Sequence, residues 1–149
     1  MRAVLQRVRS ASVRVDGGIV GQIESGWLSL LGVCTEDELS DLDYIVDKTL
    51  NLRVFNDDNG KFNHSLMDCG GQVLVVSQFT LYADSRKGRR PSFTRAADLD
   101  KAREYYELYI ERLKSKGIDV ASGRFQADMK VSLENDGPVT IILDSTKIL

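Results

Sequence analysis

Side chains that can bind or attack a carbonyl group follow a short apolar run in the middle of the chain. Ser77-Gln78-Phe79-Thr80-Leu81-Tyr82 comes directly after Val73-Leu74-Val75-Val76, and Gly70-Gly71 precedes that run. Apolar, β-branched runs bounded by glycine are typical of buried strands. We therefore expect two hydroxyls, an amide and two aromatic rings at the end of a rigid strand, a common setting for binding and catalysis. The pattern also fits polar groups that only satisfy hydrogen bonds at a strand end.

A basic segment follows this stretch, from Asp84 to Arg95. It holds five basic residues and one acid, in a chain whose net charge is -2. Charge runs are usually solvated loops, but this one adjoins the polar motif and is flanked by Tyr82 and Phe93. This position favours contact with phosphate groups beside a reactive site. The residues predicted to make that contact are Arg86, Lys87, Arg89 and Arg90.

One of the chain's two prolines follows a glycine near the C-terminal end, in Asn135-Asp136-Gly137-Pro138. These are standard turn residues, and the default expectation is a trans turn between two strands. Only about 5–6% of X-Pro bonds in folded proteins are cis. A cis bond at Gly137-Pro138 would reverse the chain sharply and could direct two carbonyl groups the same way. Such a pair of acceptors suits an ammonium group.

Other chemistries are less well supported by the sequence. His64 is the only histidine, and nothing in the sequence places it near Ser77 or Thr80 for a Ser-His-acid triad. One histidine with two separated cysteines, Cys34 and Cys69, does not favour a zinc site, and we expect both thiols to be reduced. The acids at 56–60 fit a plain turn better than a calcium loop, because no Glu occupies the twelfth position.

The elements that must position these residues follow from hydrophobic periodicity. A capping box at Thr35 and Glu38 predicts a helix over 36–52. A second helix is predicted over 98–116, closed by Gly117. The predicted strands are 3–8, 11–16, 19–24, 27–34, 53–55, 73–76, 130–134 and 139–143. The expected fold class is α+β, with a mostly antiparallel, curved or barrel-like sheet and two main helices in a single domain over 1–149.

Length and composition place limits on function. The chain has 149 residues, of which 42% are hydrophobic and 28% charged, as in an ordinary one-domain globular protein. No apolar run approaches the 18 residues of a membrane span, and the charged N-terminal segment is no signal peptide, so we expect a cytoplasmic protein. The net charge gives no global reason to expect nucleic acid, so an RNA partner requires a local basic patch.

Two motifs together carry a resemblance to a known family. Ser77-Gln78-Phe79-Thr80-Leu81-Tyr82 and Asn135-Asp136-Gly137-Pro138-Val139-Thr140 resemble the D-aminoacyl-tRNA deacylase family. The resemblance extends to the start of the chain, 2–8, and to the basic stretch 87–93, and so covers essentially the whole chain in the expected order. Gln126 is a departure, because a small residue is expected before Ala127.

The resemblance implies an enzyme that hydrolyses the ester between a D-amino acid and the 3′ end of tRNA, releasing both. It also implies action on glycine mischarged on tRNA, rejection of L-aminoacyl groups, and a role in proofreading translation. The implied enzyme is a homodimer that needs no metal or cofactor. The stretch implied to face the ester is Ser77, Gln78, Phe79 and Thr80, with a backbone N–H near Phe79 or Thr80 holding the carbonyl oxygen.

The resemblance also implies how the rest of the substrate is bound. Gly137-Pro138 is expected to be cis and to enter the partner subunit's site, where its carbonyls take the amino group and exclude an L side chain. Arg7 is expected to steady this motif. Phe125 and Met129 are expected to hold the terminal adenine.

Two further functions stay open at the level of sequence. The chain could be a non-catalytic RNA-binding module, or a small esterase that uses Thr80 or Ser77. Neither motif shows a well-placed general base, and an adjacent ribose hydroxyl of the tRNA is one possible aid to the attacking water. An aminoacyl ester is already activated, so positioning and an oxyanion donor, with about 10²–10⁴-fold from proton transfer, can suffice.

Overall fold

One long strand organises the structure, a computed structural model that describes every residue from Met1 to Leu149. This strand, β1, pairs with three others in a six-stranded sheet. A separate two-stranded sheet is formed by β4 and β5, and a 3₁₀ helix follows β6. The elements are β1 (Arg2–Val15), β2 (Gly18–Ile23), β3 (Gly26–Gly32), α1 (Leu39–Asn51), β4 (Phe55–Asn56), β5 (Phe62–His64), α2 (Leu66–Cys69), β6 (Gln72–Ser77), the 3₁₀ helix (Phe79–Tyr82), α3 (Leu99–Ser115), β7 (Val120–Ser122) and β8 (Lys130–Asp144).

The main sheet is mixed, which corrects the expectation of a mostly antiparallel one. Strand β1 is antiparallel to β8, to β3 through its first half and to β2 through its second half. Strand β6 runs parallel to both β3 and β7. Parallel pairing needs a long crossover, and the chain between β3 and β6 contains α1, which provides one.

The expected curvature of the sheet is confirmed. Gly21 on β2 lies so near β7 that a Cβ at this position would be 2.4 Å from the carbonyl oxygen of Ser122. Only glycine permits so close an approach of two backbones. The sheet therefore curls until its β2 and β7 regions almost meet, giving a nearly closed, barrel-like shape.

Two of the predicted strand breaks are absent, one in β1 and one in β8. Strand β1 runs unbroken through Arg9 and Ser10, where the sequence predicts two strands, 3–8 and 11–16. Register shifts opposite β8 on both sides of Val8 account for the interrupted pattern. Ala3 and Leu5 pack into the core beneath the helices, whereas Ala11 and Val13, which regular alternation would place on the same face, pack into the core inside the curved sheet. A bulge therefore moves the apolar side chains to the other face without ending the strand.

The two main helices are confirmed, and one boundary is corrected. The residue that caps α1 is Glu38, whose side chain accepts from the backbone of Asp41 while the Asp41 carboxylate accepts from the Glu38 N–H, so Thr35 is not the N-cap. Helix α1 therefore starts later than predicted. Helix α3 begins after its N-cap Asp98, and Gly117 follows its end with φ of 84°. None of the helices has the length and apolar character needed to cross a membrane.

The larger core lies between the helices and the sheet. Trp27 is fully buried there, and its indole N–H donates to the carbonyl of Thr49 over 3.2 Å. The Tyr109 hydroxyl, which is also buried, pairs with Ser29 Oγ at 3.0 Å and Thr49 Oγ1 at 2.9 Å. Two tyrosines of α3, Tyr105 and Tyr106, are buried in the same core, as the helical spacing predicts. This core fixes α3 against the strand that ends at the candidate site.

Candidate active site

A largely apolar cavity of about 560 Å³ opens between the 3₁₀ helix and the segment that precedes β8. It brings together five of the predicted site residues, Ser77, Gln78, Phe79, Phe125 and Met129. The start of α3 completes the lining. The remaining lining residues are Val76, Ala97, Leu99, Ala102, Gln126, Ala127 and Val131.

The first wall of the cavity is the end of β6 with the start of the 3₁₀ helix that follows it, and Thr80 itself does not line the cavity. It is anchored to β3, because the Gln78 N–H donates to the Leu31 carbonyl over 2.7 Å. It also packs directly on Gly32, where a Cβ would lie 3.0 Å from Leu81 Cβ and 3.1 Å from the Gln78 carbonyl oxygen. The first N–H groups of a helix have no acceptor within it, so Phe79 and Thr80 carry donors at this end.

The side chains of the first wall form a short polar pair and an aromatic pair. The Gln78 side-chain amide donates to the Thr80 hydroxyl, which is exposed. Phe79 is 55% exposed and packs edge-to-face on Phe93, with ring centroids 5.1 Å apart. The aromatic pair connects the wall to the basic segment, because Phe93 lies at the end of that segment.

Arg2 holds the far end of the 3₁₀ helix, a role that sequence reasoning missed. Its Nη1 donates to the Leu81 carbonyl over 3.0 Å, and its Nε donates to Asp144 over 2.9 Å. Its guanidinium also lies 4.8 Å from the ring centroid of Tyr82. Burial by itself raises the pKa of Asp144, but hydrogen bonds from Thr146 and Arg2 outweigh it and leave the pKa below its usual value. No local pattern links residues so far apart in sequence.

The second wall of the cavity contains Phe125 and Met129. Phe125 is half-buried and packs against Tyr106, with ring centroids 5.6 Å apart. Met129 packs over Gly123, where a Cβ would be 2.5 Å from the Met129 sulfur. The Ala127 N–H donates to the Arg124 carbonyl over 3.1 Å, and this bond closes a turn over 124–127. We call this segment the adenine-side turn, after the role that the resemblance implies for Phe125.

Gly137-Pro138 lies in a loop that projects from the middle of β8, where the sequence predicts a turn between two strands. Gln6 pairs with Thr140 and Val8 with Asn135, so 136–139 stand opposite Arg7 alone. The Asn135 side chain closes the base of this loop, accepting from the Val139 N–H over 2.7 Å and donating to the Val139 carbonyl over 3.1 Å. We call 136–139 the Gly-Pro loop.

Arg7 is hydrogen-bonded to the base of the Gly-Pro loop. Its Nε donates to the Asp136 carbonyl over 2.9 Å, and its Nη1 donates to the Val54 carbonyl over 2.6 Å. Arg7 is 5% exposed. Gly137 has φ of 137°, and a Cβ there would lie 2.7 Å from Val139 Cγ2 and 3.2 Å from Arg7 Nη2. The loop therefore requires glycine at this position.

The Gly-Pro loop and the cavity do not meet within one chain. The Gly137-Pro138 bond is cis, and both residues are exposed. Neither of them lines the cavity, and neither does Arg7. Arg7 and Asp136 instead line a second, more polar cavity of about 380 Å³.

The basic segment forms an exposed loop closed by two hydrogen bonds between the backbones of Asp84 and Ser92. Arg86 forms a salt bridge with Asp84, with 2.6 Å between Nη2 and Oδ2. Hydrogen bonds from Arg86 hold the pKa of Asp84 well below its usual range. The other three predicted phosphate ligands make no salt bridge and are fully available: Lys87, Arg89 and Arg90.

The groups considered for other chemistries lie away from the cavity. His64 is half-buried in β5 and does not line it. Cys34 is buried, Cys69 is exposed, and both are free thiols, as predicted. The carboxylate of Asp57 accepts the N–H groups of Asn59 and Lys61, so it serves the predicted turn.

Comparisons with known proteins agree on one family. The family model described as "D-Tyr-tRNA(Tyr) deacylase" matches residues 4–144. The chain is 58% identical over 147 residues to the D-aminoacyl-tRNA deacylase of Clostridioides difficile (strain 630), and the match covers 99% of each chain. It is 55% identical over 148 residues to that of Desulfotalea psychrophila (strain LSv54 / DSM 12343), again over 99% of each.

Two solved structures are similar in fold. A c-Myc DNA unwinding element binding protein has a TM-score of 0.91 and 42% sequence identity, covering 97% of this chain and 98% of that chain. A probable eukaryotic D-amino acid tRNA deacylase has a TM-score of 0.81 with 19% identity, covering 95% of this chain and 97% of the other. The second likeness is one of fold alone.

Proposed function

The chain belongs to the D-Tyr-tRNA(Tyr) deacylase family, and we propose that it removes D-amino acids from tRNA. Water attacks the ester carbonyl, the bond to the 3′ ribose oxygen breaks, and free D-amino acid and intact tRNA leave. Glycine mischarged on tRNA is hydrolysed in the same way, because it has no side chain to exclude. The enzyme thereby proofreads aminoacyl-tRNA in the cytoplasm.

The observation that carries this proposal is the division of the cavity into a polar and an apolar wall. Gln78 and the start of the 3₁₀ helix present hydrogen-bonding groups on one side, and Phe125 and Met129 present an apolar surface on the other. The 3′ end of an aminoacyl-tRNA has the same division, a polar ester beside a flat base. The base stacks on Phe125, which brings the ester to the first wall.

The backbone N–H groups of Phe79 and Thr80 hold the negative charge that develops on the ester oxygen. Both are at the start of the 3₁₀ helix, where helical geometry leaves N–H groups without acceptors. Donors that are already in place need no reorganisation during the reaction, and one such donor contributes about 10²–10³-fold to kcat. The anchoring of this helix to Leu31 and Gly32 keeps the donors in position.

Thr80 positions substrate or water and is not a nucleophile. Its hydroxyl accepts from the Gln78 amide, and no histidine or carboxylate is hydrogen-bonded to it. A threonine hydroxyl without a base is a weak nucleophile. The adjacent ribose hydroxyl of the tRNA assists the attacking water instead.

Chirality is read by the Gly-Pro loop of a second subunit. In this proposal the enzyme is a homodimer, and the exposed Gly137-Pro138 of one chain enters the cavity of its partner. There its carbonyls bind the substrate's amino group and leave no space for an L side chain. A rigid backbone suits this task, since enantiomers carry the same groups and must be separated by shape. The support for it is that Arg7 and Asn135 fix the loop while its tip stays exposed.

The basic loop binds the tRNA backbone next to the site. Lys87, Arg89 and Arg90 are exposed and make no salt bridge, and Phe93 connects their loop to Phe79. Arg86 contributes less, because Asp84 already neutralises it. DNA binding is a second candidate function, since these residues would suit any phosphate backbone and one structural relative is named for binding a DNA unwinding element.

The test compares matched D- and L-aminoacyl-tRNA, a simple D-amino acid ester and a DNA duplex, each with the purified protein. Rapid hydrolysis of D-aminoacyl-tRNA alone supports the proposal. Binding of tRNA without hydrolysis would indicate an RNA-binding module. Equal hydrolysis of the simple ester would indicate a small esterase, and DNA binding without hydrolysis would favour the second candidate.

Mixed dimers test the shared site. Gly137→Val disrupts the Gly-Pro loop, because a side chain meets Val139 and Arg7, and Ala102→Phe fills the cavity. A dimer with one chain of each variant has one complete site, formed by the intact cavity of the Gly137→Val chain and the intact loop of the Ala102→Phe chain. Co-expressed chains should therefore recover about a quarter of wild-type activity, whereas either variant alone is inactive. Absence of recovery in a verified mixed dimer, or full activity of a monomer, would contradict the shared site.

A further inference from the structure

Gln126 has a backbone conformation that is unfavourable for residues other than glycine. Its φ is 65°, in the left-handed region that glycine adopts readily. For other residues this conformation costs about 1–2 kcal/mol. The turn that contains it is closed by one backbone hydrogen bond, from Ala127 to Arg124. A strained residue that lines a candidate site needs a contact that compensates.

Arg103 provides such a contact from outside the cavity. Its Nη2 donates to the Gln126 side-chain carbonyl over 3.0 Å. The same guanidinium lies 5.1 Å from the ring centroid of Phe125. Arg103 is exposed on α3 and does not line the cavity. One side chain outside the cavity therefore contacts two successive residues of the adenine-side turn.

The other attachments of this turn are weaker. The Tyr106 hydroxyl is 3.4 Å from the carbonyl oxygen of Gly123, at the long end of the hydrogen-bond range. Gly123 itself is held by its N–H to the Val75 carbonyl over 3.0 Å. The turn is thus well attached where it leaves β7. Beyond that point Phe125 packs against the buried Tyr106, and Arg103 supplies the one side-chain hydrogen bond to the turn.

We propose that Arg103 is a positioning residue that, through Gln126 and Phe125, sets the affinity of the second wall for the substrate's terminal adenosine. This inference rests on the proposed function. Its physical basis is that a ring fixed before binding loses less entropy when a base stacks on it. Arg103 makes no hydrogen bond or cation–π contact with the 3₁₀ helix, so it acts on binding and not on the chemical step.

The experiment is a double-mutant cycle with Arg103→Met and Gln126→Ala. Methionine keeps an unbranched apolar side chain without the charge, and alanine keeps the Cβ and hence the backbone strain at Gln126. Binding of adenosine is measured by calorimetry, and KM and kcat are measured with D-aminoacyl-tRNA. Each single variant should weaken adenosine binding and raise KM about three- to tenfold, with kcat within about twofold, because one hydrogen bond or cation–π contact is lost.

The cycle should also be non-additive. The double variant should bind adenosine about as well as the weaker single variant, because both substitutions remove the same contact. Arg103→Lys should restore part of the affinity, since lysine can still donate to Gln126. Lys114→Met is the matched control: it removes a positive charge from the exposed face of α3 near its end and should leave both constants unchanged.

A second readout separates this inference from the proposed function. Hydrogen exchange at the Ala127 amide should be faster in Arg103→Met than in wild type or Lys114→Met, whether or not the protein hydrolyses any ester. Unchanged exchange and adenosine affinity would overturn the inference. So would weaker binding of tRNA with unchanged adenosine affinity, which would make Arg103 a phosphate ligand. Absence of D-aminoacyl-tRNA hydrolysis in wild type would instead refute the proposed function.

Discussion

The 3₁₀ helix on one side of the cavity is anchored by several hydrogen bonds and close contacts to other elements, whereas the adenine-side turn on the other side has the packing of Phe125 on Tyr106 and the contacts of an exposed arginine, Arg103. The helix rests on β3 through Leu31 and Gly32, and Arg2 holds its far end through Leu81. The turn has one closing backbone bond and a residue with φ of 65°. The first wall is fixed by hydrogen bonds at several points, and the turn in the second wall has few hydrogen bonds beside the packing of Phe125 on Tyr106.

This difference matches the demands of the two ends of the substrate. Oxyanion donors act only when they are held close to the position of the developing charge, so small displacements reduce catalysis strongly. Stacking of a base tolerates small shifts, because a flat ring offers a broad surface. We therefore expect changes to the first wall to lower kcat and changes to the second wall to raise KM.

Among the substitutions that separate the roles of the two walls, the largest effect is expected for Gly32→Ala. The new Cβ would lie 3.0 Å from Leu81 Cβ and 3.1 Å from the Gln78 carbonyl oxygen, so the 3₁₀ helix must move by tenths of an ångström. Because misplacement of about 1 Å can cost about 10²-fold, we expect kcat to fall about tenfold or more with little change in KM. Steady-state kinetics on D-aminoacyl-tRNA measures both constants.

Gly18→Ala is the control for this substitution. A Cβ at Gly18 would meet only the Val15 carbonyl oxygen, at 3.8 Å. Its kcat should equal that of wild type. If Gly32→Ala raised KM alone, the assignment of the chemical step to the first wall would be wrong.

A smaller effect is expected for Thr80→Ala. The first wall acts through backbone N–H groups in our account, and alanine preserves them. The variant loses only the hydroxyl that accepts from Gln78, so kcat should fall about three- to tenfold, the value of one hydrogen bond. Mass spectrometry of the enzyme during turnover should detect no acyl adduct. An acyl group trapped on Thr80, or complete loss of activity, would make this residue the nucleophile.

Neutralising the basic loop should leave both walls unchanged. Arg89→Gln should raise KM for aminoacyl-tRNA about two- to fivefold and flatten its salt dependence by roughly one unit of slope. Affinity for adenosine and the preference for D over L should stay the same. Arg86→Gln should change less, because Arg86 already pairs with Asp84, and Arg14→Gln on β1 is a control of equal charge. An unchanged salt slope in Arg89→Gln would mean that the loop is merely solvated.

The smallest effect concerns pH and the support of the first wall at Asp144. Its pKa is lower in the folded protein than in the unfolded chain. The unfolded chain therefore takes up the proton at higher pH, and the stability that Asp144 contributes is present above about pH 4 and lost as the pH falls further. Asp144→Asn should be less stable than wild type at pH 7, and the difference should shrink as the pH falls below about 4. Denaturant melts give this comparison, and parallel curves would exclude the contribution.

The parts of the molecule that the sequence predicts well have strong local periodicity. The apolar run 73–76 is the buried centre of β6, and the spacing of Tyr105, Tyr106 and Tyr109 places α3 against the core. Five of the predicted site residues also meet in one cavity. The strand and the helix follow from residues close together in the sequence, whereas Phe125 and Met129 were assigned to the site by the family resemblance and not by a local pattern.

The parts that were missed depend on contacts across the fold. A one-turn 3₁₀ helix has no periodicity to detect, so Phe79 to Tyr82 were expected in a loop. Strand β1 was divided because a bulge near Val8 changes the face of its apolar residues. Arg2 was missed because its partners, Leu81 and Asp144, are distant in sequence. The backbone strain at Gln126 cannot be predicted, because the sequence alone gives no φ value.

The most direct test of the account is the ratio of kcat/KM for D- and L-tyrosyl-tRNA, measured in parallel for wild type and Ala102→Phe. Ala102 lines the cavity on α3, so phenylalanine there should fill the space between the two walls. We expect wild type to hydrolyse the D substrate far faster than the L substrate, and a folded Ala102→Phe to lose at least about a hundredfold on the D substrate. Full D activity in a folded Ala102→Phe, or equal rates for the two enantiomers in wild type, would contradict the account.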